Sequence, residues 1–235
     1  MIKIEKVNKF YGKKHVLKDV DLVIKDNSSV AFIGSNGSGK TTLVEIIAEL
    51  LKPTSGTVKY IDDATNNVIK KRVGMQFQDG SWPPGTKILD LVKFYKNKAF
   101  LKTDEFNDLV ASFSLEKFIN KTIDSLSGGE RQRANCFLSI INKPEVLILD
   151  ELITGLDLEM QIKLVNYFKN YKNKNNLSLL VVSHIPEEVE ELCDRVIILK
   201  DGVVFEDKKM SQILKEHGSL RKRLIKYYNI EIINK

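Results

Sequence analysis

Cysteine and long apolar runs are both scarce in this chain of 235 residues. Its two cysteines, Cys136 and Cys193, have no CxxC spacing and lie in apolar segments, which argues against a disulfide framework and indicates ordinary buried thiols in a reducing cytoplasm. No stretch approaches the roughly 18 uncharged apolar residues of a membrane-spanning helix. Residues 1–6 alternate like a strand and lack the apolar segment of a secretory signal. We therefore expect a protein that is soluble on its own.

Positive charge is in modest excess, because 37 Lys and Arg residues outnumber 31 Asp and Glu residues and give a net charge of +6. The basic residues are spread along the chain and form no single block, so they indicate a solvated surface and no nucleic-acid partner is expected.

The tail after residue 206 is the exception to this even distribution. Its spacing predicts a basic amphipathic helix, which we expect to pack on its own domain; contact with a membrane surface is the alternative. The basic residues are Arg221, Lys222, Arg223 and Lys226, and the apolar or aromatic ones are Leu220, Leu224, Tyr227 and Tyr228.

Two glycine-rich runs carry the strongest functional signal. The first fits the pattern G-x-x-x-x-G-K-S/T, in which glycines let backbone N–H groups close around phosphate, the lysine reaches the terminal phosphates and the hydroxyl binds Mg²⁺. The second opens a helix predicted over residues 127–141, and a helix N-terminus is a second place that can bind an anion. The first run is Gly34, Ser35, Asn36, Gly37, Ser38, Gly39, Lys40 and Thr41, followed by Thr42; the second is Leu126, Ser127, Gly128, Gly129 and Glu130.

Apolar periodicity predicts an α/β domain around these runs. Residues 2–7 and 16–24 alternate like an antiparallel strand pair, with Tyr11 between them. A strand over residues 30–33 enters the first run and a helix over residues 40–51 leaves it. Helix-like segments rich in Phe and Lys follow from about residue 79. Further strands are predicted over residues 57–61, 73–77, 146–149, 179–182, 195–199 and 203–205.

Polar residues follow two of the predicted buried strands. Asp150 and Glu151 come directly after residues 146–149, and His184 comes shortly after residues 179–182. A helix between these strands makes a parallel crossover, and an open α/β sheet places its ligand site at the carboxyl ends of parallel strands. On composition alone, a single histidine such as His184 is more often a structural residue.

With these motifs in order, the sequence resembles the nucleotide-binding domain of the ATP-binding cassette (ABC) transporter family, whose signature motif is Leu126-Ser127-Gly128-Gly129-Glu130. The resemblance covers residues 1–206. It implies a P-loop NTPase fold with a mainly parallel core sheet, an N-terminal antiparallel β subdomain and an α-helical subdomain inserted at about residues 79–126. A short basic helical tail would then occupy residues 207–235.

The resemblance implies that ATP is bound and hydrolysed. Lys40 and the backbone of residues 34–42 would hold the phosphates, and Tyr11 would stack on the adenine. His184, in the segment Val181-Val182-Ser183-His184, matches the position whose imidazole contacts the γ-phosphate.

The resemblance also implies a magnesium site and a catalytic carboxylate. Thr41, Asp150 and Gln78 would hold Mg²⁺, with Gln76 as a competing candidate for the glutamine position. Glu151 matches the glutamate that orients the attacking water. Its position after an apolar strand and an Asp argues against a merely solvated loop acid.

Partners follow from the same resemblance. Two copies of the domain would meet head to tail, so that residues 127–130 of one copy cap the γ-phosphate held by Lys40 of the other, and residues 154–157 would communicate across that interface. Both half-sites are intact in this chain, which allows a homodimer. A separately encoded integral membrane permease would hold the dimer at the cytoplasmic face of the cell membrane.

One departure from the commonest family pattern predicts a particular branch of the family. Leu152 and Ile153 stand where Pro and Thr are usual, and similar versions occur in the branch that serves drug, lantibiotic and bacteriocin exporters, as does the run over residues 184–195. The short tail also argues against importers with an added regulatory domain. We therefore expect an exporter ATPase; the alternatives are the ATPase of an ABC importer and a soluble ABC ATPase without a transport role.

Overall fold

The computed structural model describes residues 1–62, 64–76 and 82–228. The chain divides into two compact units, the first made of residues 1–69 and 180–235 and the second of residues 70–179. Strands and helices are numbered in chain order. Within the described ranges, no helix combines the length and the apolar character that crossing a membrane requires.

The first unit contains an antiparallel sheet of four strands in the order β2-β1-β4-β5. Its alternating sequence buries Ile2, Ile4 and Val7 of the first strand. The predicted antiparallel β subdomain is confirmed, although the first strand runs further than expected, so that Tyr11 is its last residue. The strands are β1 (Ile2–Tyr11), β2 (Lys14–Ile24), β4 (Ser55–Ile61) and β5 (Val68–Ile69).

The first unit also contains strands in the order β10-β9-β3-β8. Every residue of β3 is buried, which explains its continuous apolar run. β3 lies parallel to β9, with Val30 opposite Arg195, and β9 and β10 form an antiparallel hairpin. The bounds are β3 (Ser29–Ile33), β9 (Arg195–Lys200), β10 (Val203–Lys209) and β8 (Ser178–Val182), the last of which begins in the second unit.

Four helices lie in the described part of the first unit. α1 ends earlier than residue 51 because Glu49 adopts a positive φ of 61° and the N–H groups of Leu50 and Leu51 both turn back to the carbonyl oxygen of Glu45. β10 continues to Lys209, so the helical part of the predicted tail begins at Met210. The helices are α1 (Lys40–Ile47), α6 (Pro186–Leu192), α7 (Met210–His217) and α8 (Leu220–Tyr227).

The predicted basic helix of the tail is α8, and it packs on its own unit as expected. Leu220 and Leu224 are buried, while Arg221 and Arg223 form ion pairs with Glu187 and Glu206. Two of the four basic residues are thereby engaged within the chain, which argues against the membrane-surface alternative.

The second unit combines parallel strands with helices. Two of its strands, β6 and β7, are neighbours and run parallel, with Val73 opposite Val146. The first two of its helices fall inside the range predicted for an inserted helical subdomain. The remaining bounds are β6 (Val73–Gln76), β7 (Val146–Asp150), α2 (Ile88–Tyr95), α3 (Asp104–Ser112), α4 (Gly128–Ile140) and α5 (Leu158–Asn175).

An aromatic cluster fills the core of the second unit. The ring of Phe113 is fully buried and meets Tyr167, Phe168 and Phe137 at centroid distances of 4.7, 6.0 and 6.2 Å, all at steep interplanar angles. Edge-to-face pairs of this kind add to the free energy gained by burial. The cluster joins the end of α3 to α4 and α5.

Replacing Phe113 with Ala should therefore lower the free energy of unfolding by about 3–5 kcal/mol, because it leaves a cavity inside the cluster. Urea denaturation measures the loss. The matched control is Phe94→Ala, since the Phe94 side chain is 80% exposed and should matter little. Equal losses for the two variants would contradict the packing described above.

Candidate functional site

The first glycine-rich run forms the loop between β3 and α1. Gly34 and Gly39 have φ values of 155° and 102°. A Cβ on Gly34 would lie 2.2 Å from the carbonyl oxygen of Leu199, and one on Gly39 would lie 2.6 Å from Cδ2 of Leu17. The backbone therefore closes tightly only because these positions carry no side chain, which is the property that a phosphate-cradling loop needs.

Lys40 lies across this loop. Its ammonium donates hydrogen bonds to the carbonyl oxygens of Gly34, at 2.8 Å, and Ser35, at 3.0 Å. Thr41 and Thr42 follow in the first turn of α1, whose positive dipole end adds to the charge of the lysine. Within the described residues, the hydroxyl oxygen of Ser38 is buried and has no hydrogen-bond partner. A positive charge and polar groups at a helix N-terminus suit a polyphosphate.

A cavity of about 390 Å³ joins the loop to the end of β1. Half of the Tyr11 side chain is exposed, and the ammonium of Lys9 lies 5.3 Å from the centroid of its ring. Since bases stack on aromatic rings, the cavity can hold a nucleotide with its base at Tyr11 and its phosphates in the loop. The lining residues are Tyr11, Lys14, Val16, Gly37, Gly39, Lys40, Thr41 and Thr42.

His184 lies at the carboxyl end of β8 with its side chain exposed. The residues on both sides of it are fixed: Ser183 is buried, its hydroxyl donates to the carboxylate of Glu188, and the same oxygen accepts a hydrogen bond of 3.0 Å from the N–H of Ile185. The imidazole is therefore presented between two residues that are joined by hydrogen bonds.

In the second unit, Asp150 and Glu151 stand where β7 ends. The Asp150 side chain is buried, and Glu151 has a positive φ of 55°. Such a backbone costs energy for a residue other than glycine, and it is found at sites where the surrounding structure holds it. The two acids predicted together from the sequence are therefore held at one sharp turn.

Two buried glutamines hold this turn, and the sequence did not predict their role. The amide oxygen of Gln76 accepts a 3.1 Å hydrogen bond from the N–H of Asp150, and its nitrogen donates to the side-chain oxygen of Gln132 at 3.3 Å. The nitrogen of Gln132 donates to the carbonyl oxygens of Glu151, at 3.0 Å, and Leu152, at 2.7 Å. In the sequence, the only sign of this network was Gln132, a polar residue on the buried side of helix α4.

The hydrogen bonds of Gln76 affect its candidacy as a magnesium ligand. Gln76 is fully buried and engaged with the backbone of Asp150, so its position fits a structural role. The preferred candidate, Gln78, lies outside the described residues and stays a prediction.

The signature run forms the beginning of α4. Ser127 is the N-cap: its hydroxyl accepts from the N–H of Glu130 at 3.3 Å, while the Glu130 carboxylate accepts from the N–H of Ser127 at 2.9 Å. This reciprocal capping box satisfies two backbone donors. The hydrogen bond from the Ser127 N–H, together with Lys121, lowers the pKa of Glu130 below its usual range. Glu130 thus serves to build the helix start, while Ser127 and Gly128 are exposed.

The structure brings the signature run next to the segment over residues 154–157. A Cβ placed on Gly129 would lie 3.4 Å from Cδ2 of Leu156 and 3.5 Å from the carbonyl oxygen of Gly155. The two segments that were expected to face a second copy therefore lie side by side within the second unit.

Comparison with known proteins gives a consistent result. The sequence profile described as "ABC transporter" matches residues 17–154, a range that holds the phosphate loop, the signature run and the acids after β7. The chain is 31% identical over 226 residues to the spermidine/putrescine import ATP-binding protein PotA of Spiroplasma citri, covering 94% of this chain and 65% of that one. It is 33% identical over 186 residues to the molybdenum import ATP-binding protein ModC of Escherichia coli K12, covering 76% and 52%.

This chain thus spans between about half and two thirds of the length of these curated relatives. Among solved structures, the ATP-binding cassette MJ0796, described as a dimer bound to ADP and Pi, is 29% identical with a TM-score of 0.76, covering 89% of this chain and 98% of that one. An ATP-binding subunit of an ABC transporter, 22% identical with a TM-score of 0.80 and coverage of 97% and 99%, supports the fold alone.

Removing the Gln132 amide tests the buried network. Gln132→Met keeps the volume but leaves two carbonyl oxygens and the Gln76 amide short of a partner, so the free energy of unfolding should fall by about 2 kcal/mol. Urea denaturation gives this value. The same substitution at the exposed Gln212 of α7 is the control: it removes only one exposed hydrogen bond, which Gln212 accepts from the N–H of Lys209 at 3.2 Å, and should cost about 1 kcal/mol or less. The network would be unsupported if both variants unfolded at the same urea concentration.

Proposed function

The chain belongs to the ABC transporter family and contains its ATPase domain, and on this premise we propose that it is the ATP-hydrolysing subunit of an importer. In this role it would power a separately encoded membrane permease. The observation that carries the nucleotide part of the proposal is the closed glycine loop with the Lys40 ammonium inside it.

ATP fits the chemistry of the first unit. The loop amides and Lys40 would bind the phosphates, and Tyr11 would stack on the adenine at the other end of the cavity. Stacking on an aromatic ring contributes about 1–3 kcal/mol per base and tolerates different bases. The phosphates would therefore supply most of the binding free energy, and the ring would orient the base.

Mg²⁺ fits the chemistry of the donor set that the family resemblance assigns to it. Thr41 offers a hydroxyl and Asp150 a carboxylate, which are the oxygen ligands Mg²⁺ prefers, and this ion usually keeps several waters of its own. When bound, the ion would offset the charge of the phosphates. Gln78 remains a proposed further ligand.

Hydrolysis needs a group that orients water. We assign this role to Glu151, because its carboxylate follows a buried strand and its backbone is held by Gln132. The exposed imidazole of His184 would contact the γ-phosphate and keep the water aligned. Glu151 and His184 would then catalyse hydrolysis by holding the water and the γ-phosphate in place, since phosphoryl transfer is catalysed mostly by positioning and electrostatic stabilisation.

Two copies of the chain would form the complete sites. Ser127, Gly128 and Gly129 would cap the γ-phosphate held by Lys40 of a second copy, with Glu130 holding the shape of the helix start. The dimeric form of the cassette MJ0796, at 29% identity, supports this assembly. A C₂ pair would create two equivalent sites.

The direction of transport is where the sequence-based expectation needs correction. The run Leu152-Ile153 and the segment after His184 suggested an exporter, whereas the relatives described above are both named import proteins. Sequence identity over 76% to 94% of this chain outweighs a resemblance confined to two short segments. Import therefore fits better than export of a drug or antimicrobial peptide.

The variant Glu151→Gln should still bind ATP but should lose at least about a hundredfold in turnover, because the group that orients water is gone. It should also accumulate as an ATP-held dimer in light scattering after gel filtration. Glu159→Gln, an exposed carboxylate at the start of α5, is the control and should behave like the unchanged protein. A variant that stays monomeric under saturating ATP would contradict the shared site.

Affinity capture of tagged Glu151→Gln protein from detergent-solubilised membranes of its own cells tests the transport role. We expect a polytopic membrane protein together with a solute-binding protein, both identified by mass spectrometry and absent from untagged cells. A membrane protein without a solute-binding protein would favour export. Recovery of only ribosomal proteins or soluble enzymes would refute the transporter assignment.

A further inference from the structure

The helix that follows His184 is too short to hold its own position. α6 has seven residues, and an isolated helix of that length is unstable in water. It begins with Pro186 at its first turn and has no side-chain cap. Its orientation must therefore come from packing, which the buried Val189 and Leu192 supply on one face.

On another side, α6 is held by α8, the last helix among the described residues. The guanidinium of Arg221 donates two hydrogen bonds to the carboxylate of Glu187, from Nε at 2.7 Å and from Nη2 at 2.9 Å. The backbone N–H of Leu220 donates to Oε1 of Glu190 at 2.6 Å. Two of the acidic residues of α6 are thus bound by the N-terminal turn of α8. The pairing also lowers the pKa of Glu187 below its usual range, mainly through the hydrogen bond from Arg221.

α8 is itself anchored at the edge of the sheet. Arg223 and Glu206 of β10 form an ion pair of 2.7 Å, and both side chains are largely shielded, with exposures of 14% and 12%. Leu224 is buried beside this pair. α8 therefore braces α6 against β10: a shielded ion pair holds it at β10, and the bidentate pair of Arg221 and Glu187, whose side chains are 61% and 59% exposed, holds it at α6.

The brace reaches the histidine segment directly. Arg221, Leu224 and Tyr228 line one cavity of about 300 Å³ together with His184 and Pro186. From α6, the buried Glu188 accepts the hydrogen bond of Ser183, the residue before the histidine. Contacts thus run from α8 to α6 and from α6 to the residue next to His184.

We propose that α8 is a clamp that positions His184 for ATP hydrolysis, with Arg221 and Glu187 as its positioning pair. The inference rests on the role proposed above for His184. It assigns the basic tail a part in turnover, whereas packing alone would affect only stability. Because the clamp acts on the histidine and not on the phosphate loop, it should change the rate of hydrolysis and leave nucleotide affinity intact.

A charge swap tests the clamp in the full chain. Arg221→Glu and Glu187→Arg should each lower kcat about three- to tenfold, because each places like charges side by side at this junction. The Kd for a fluorescent ATP analogue should stay within about twofold of the unchanged protein. The double variant Arg221→Glu/Glu187→Arg restores opposite charges and should recover most of kcat.

Lys222→Glu is the matched control, because it makes the same charge change at the next position of α8, where the Lys222 ammonium lies close to Gly218. It should leave kcat unchanged. Hydrogen exchange gives a readout that does not depend on turnover: in both single variants, the amides of residues 183–192 should exchange faster and those of residues 34–42 should not.

Three results would overturn the clamp: single variants that hydrolyse ATP at the unchanged rate, a double variant no better than the product of the two singles, or unchanged exchange at residues 183–192. Failure of the proposed function has a different signature, because the unchanged protein would then show no ATPase activity while the single variants still altered the exchange of these amides.

Discussion

The candidate site depends on main-chain turns that ordinary residues resist. The loop after β3 closes only because Gly34 and Gly39 carry no side chain at points where the nearest atoms stand 2.2 and 2.6 Å from a would-be Cβ. After β7 the chain turns as sharply at Glu151, but here a charged side chain occupies the left-handed conformation. Backbone strain of this kind costs about 1–3 kcal/mol, and the amides of Gln76 and Gln132 offset it with hydrogen bonds from both sides. A carboxylate held in this way has few alternative positions, which is what alignment of a water molecule requires.

The sequence was sufficient to predict the parts of the site in which function requires particular residue types at fixed spacings. The phosphate loop, the signature run and the acids after a buried strand are recognisable because glycines, a lysine and carboxylates must stand at set spacings. The alternating strands of the first sheet and the continuous apolar strands β3 and β7 were also predictable, since burial on one face or on both leaves a direct trace in the sequence. Features set by tertiary contacts were not predictable. Nothing local shows that the N–H groups of Leu50 and Leu51 return to Glu45 and end α1, or that Gln132 reaches across to Glu151. Side-chain networks join residues far apart in the chain, so periodicity carries no record of them.

Two short motifs predicted export, whereas similarity over most of the chain favours import. Leu152 and Ile153 are both buried, so packing within this chain accounts for two apolar residues at these positions without any kinship with exporters. Similarity over most of the chain depends on many residues, so a few substitutions of this kind affect it little, and it favours import. The basic tail is a second case in which a short sequence pattern allowed a role that the structure does not favour. Its charge pattern allowed a membrane-surface role, yet Arg221 and Arg223 are bound by Glu187 and Glu206, whose own sequence positions gave no hint of the pairing.

In the proposed dimer, each nucleotide site joins the phosphate loop of one copy to the signature run of another. Mixing two inactive variants tests it most directly. Lys40→Ala removes the ammonium in the loop, and Ser127→Arg blocks the exposed N-cap of α4 while leaving the loop intact. Alone, each variant should be inactive, because every dimer contains a defect in both sites. In an equal mixture, half of the dimers should be mixed and carry one intact site, so up to about a quarter of the normal ATPase activity should return. A mixture as inactive as its components would contradict the shared site.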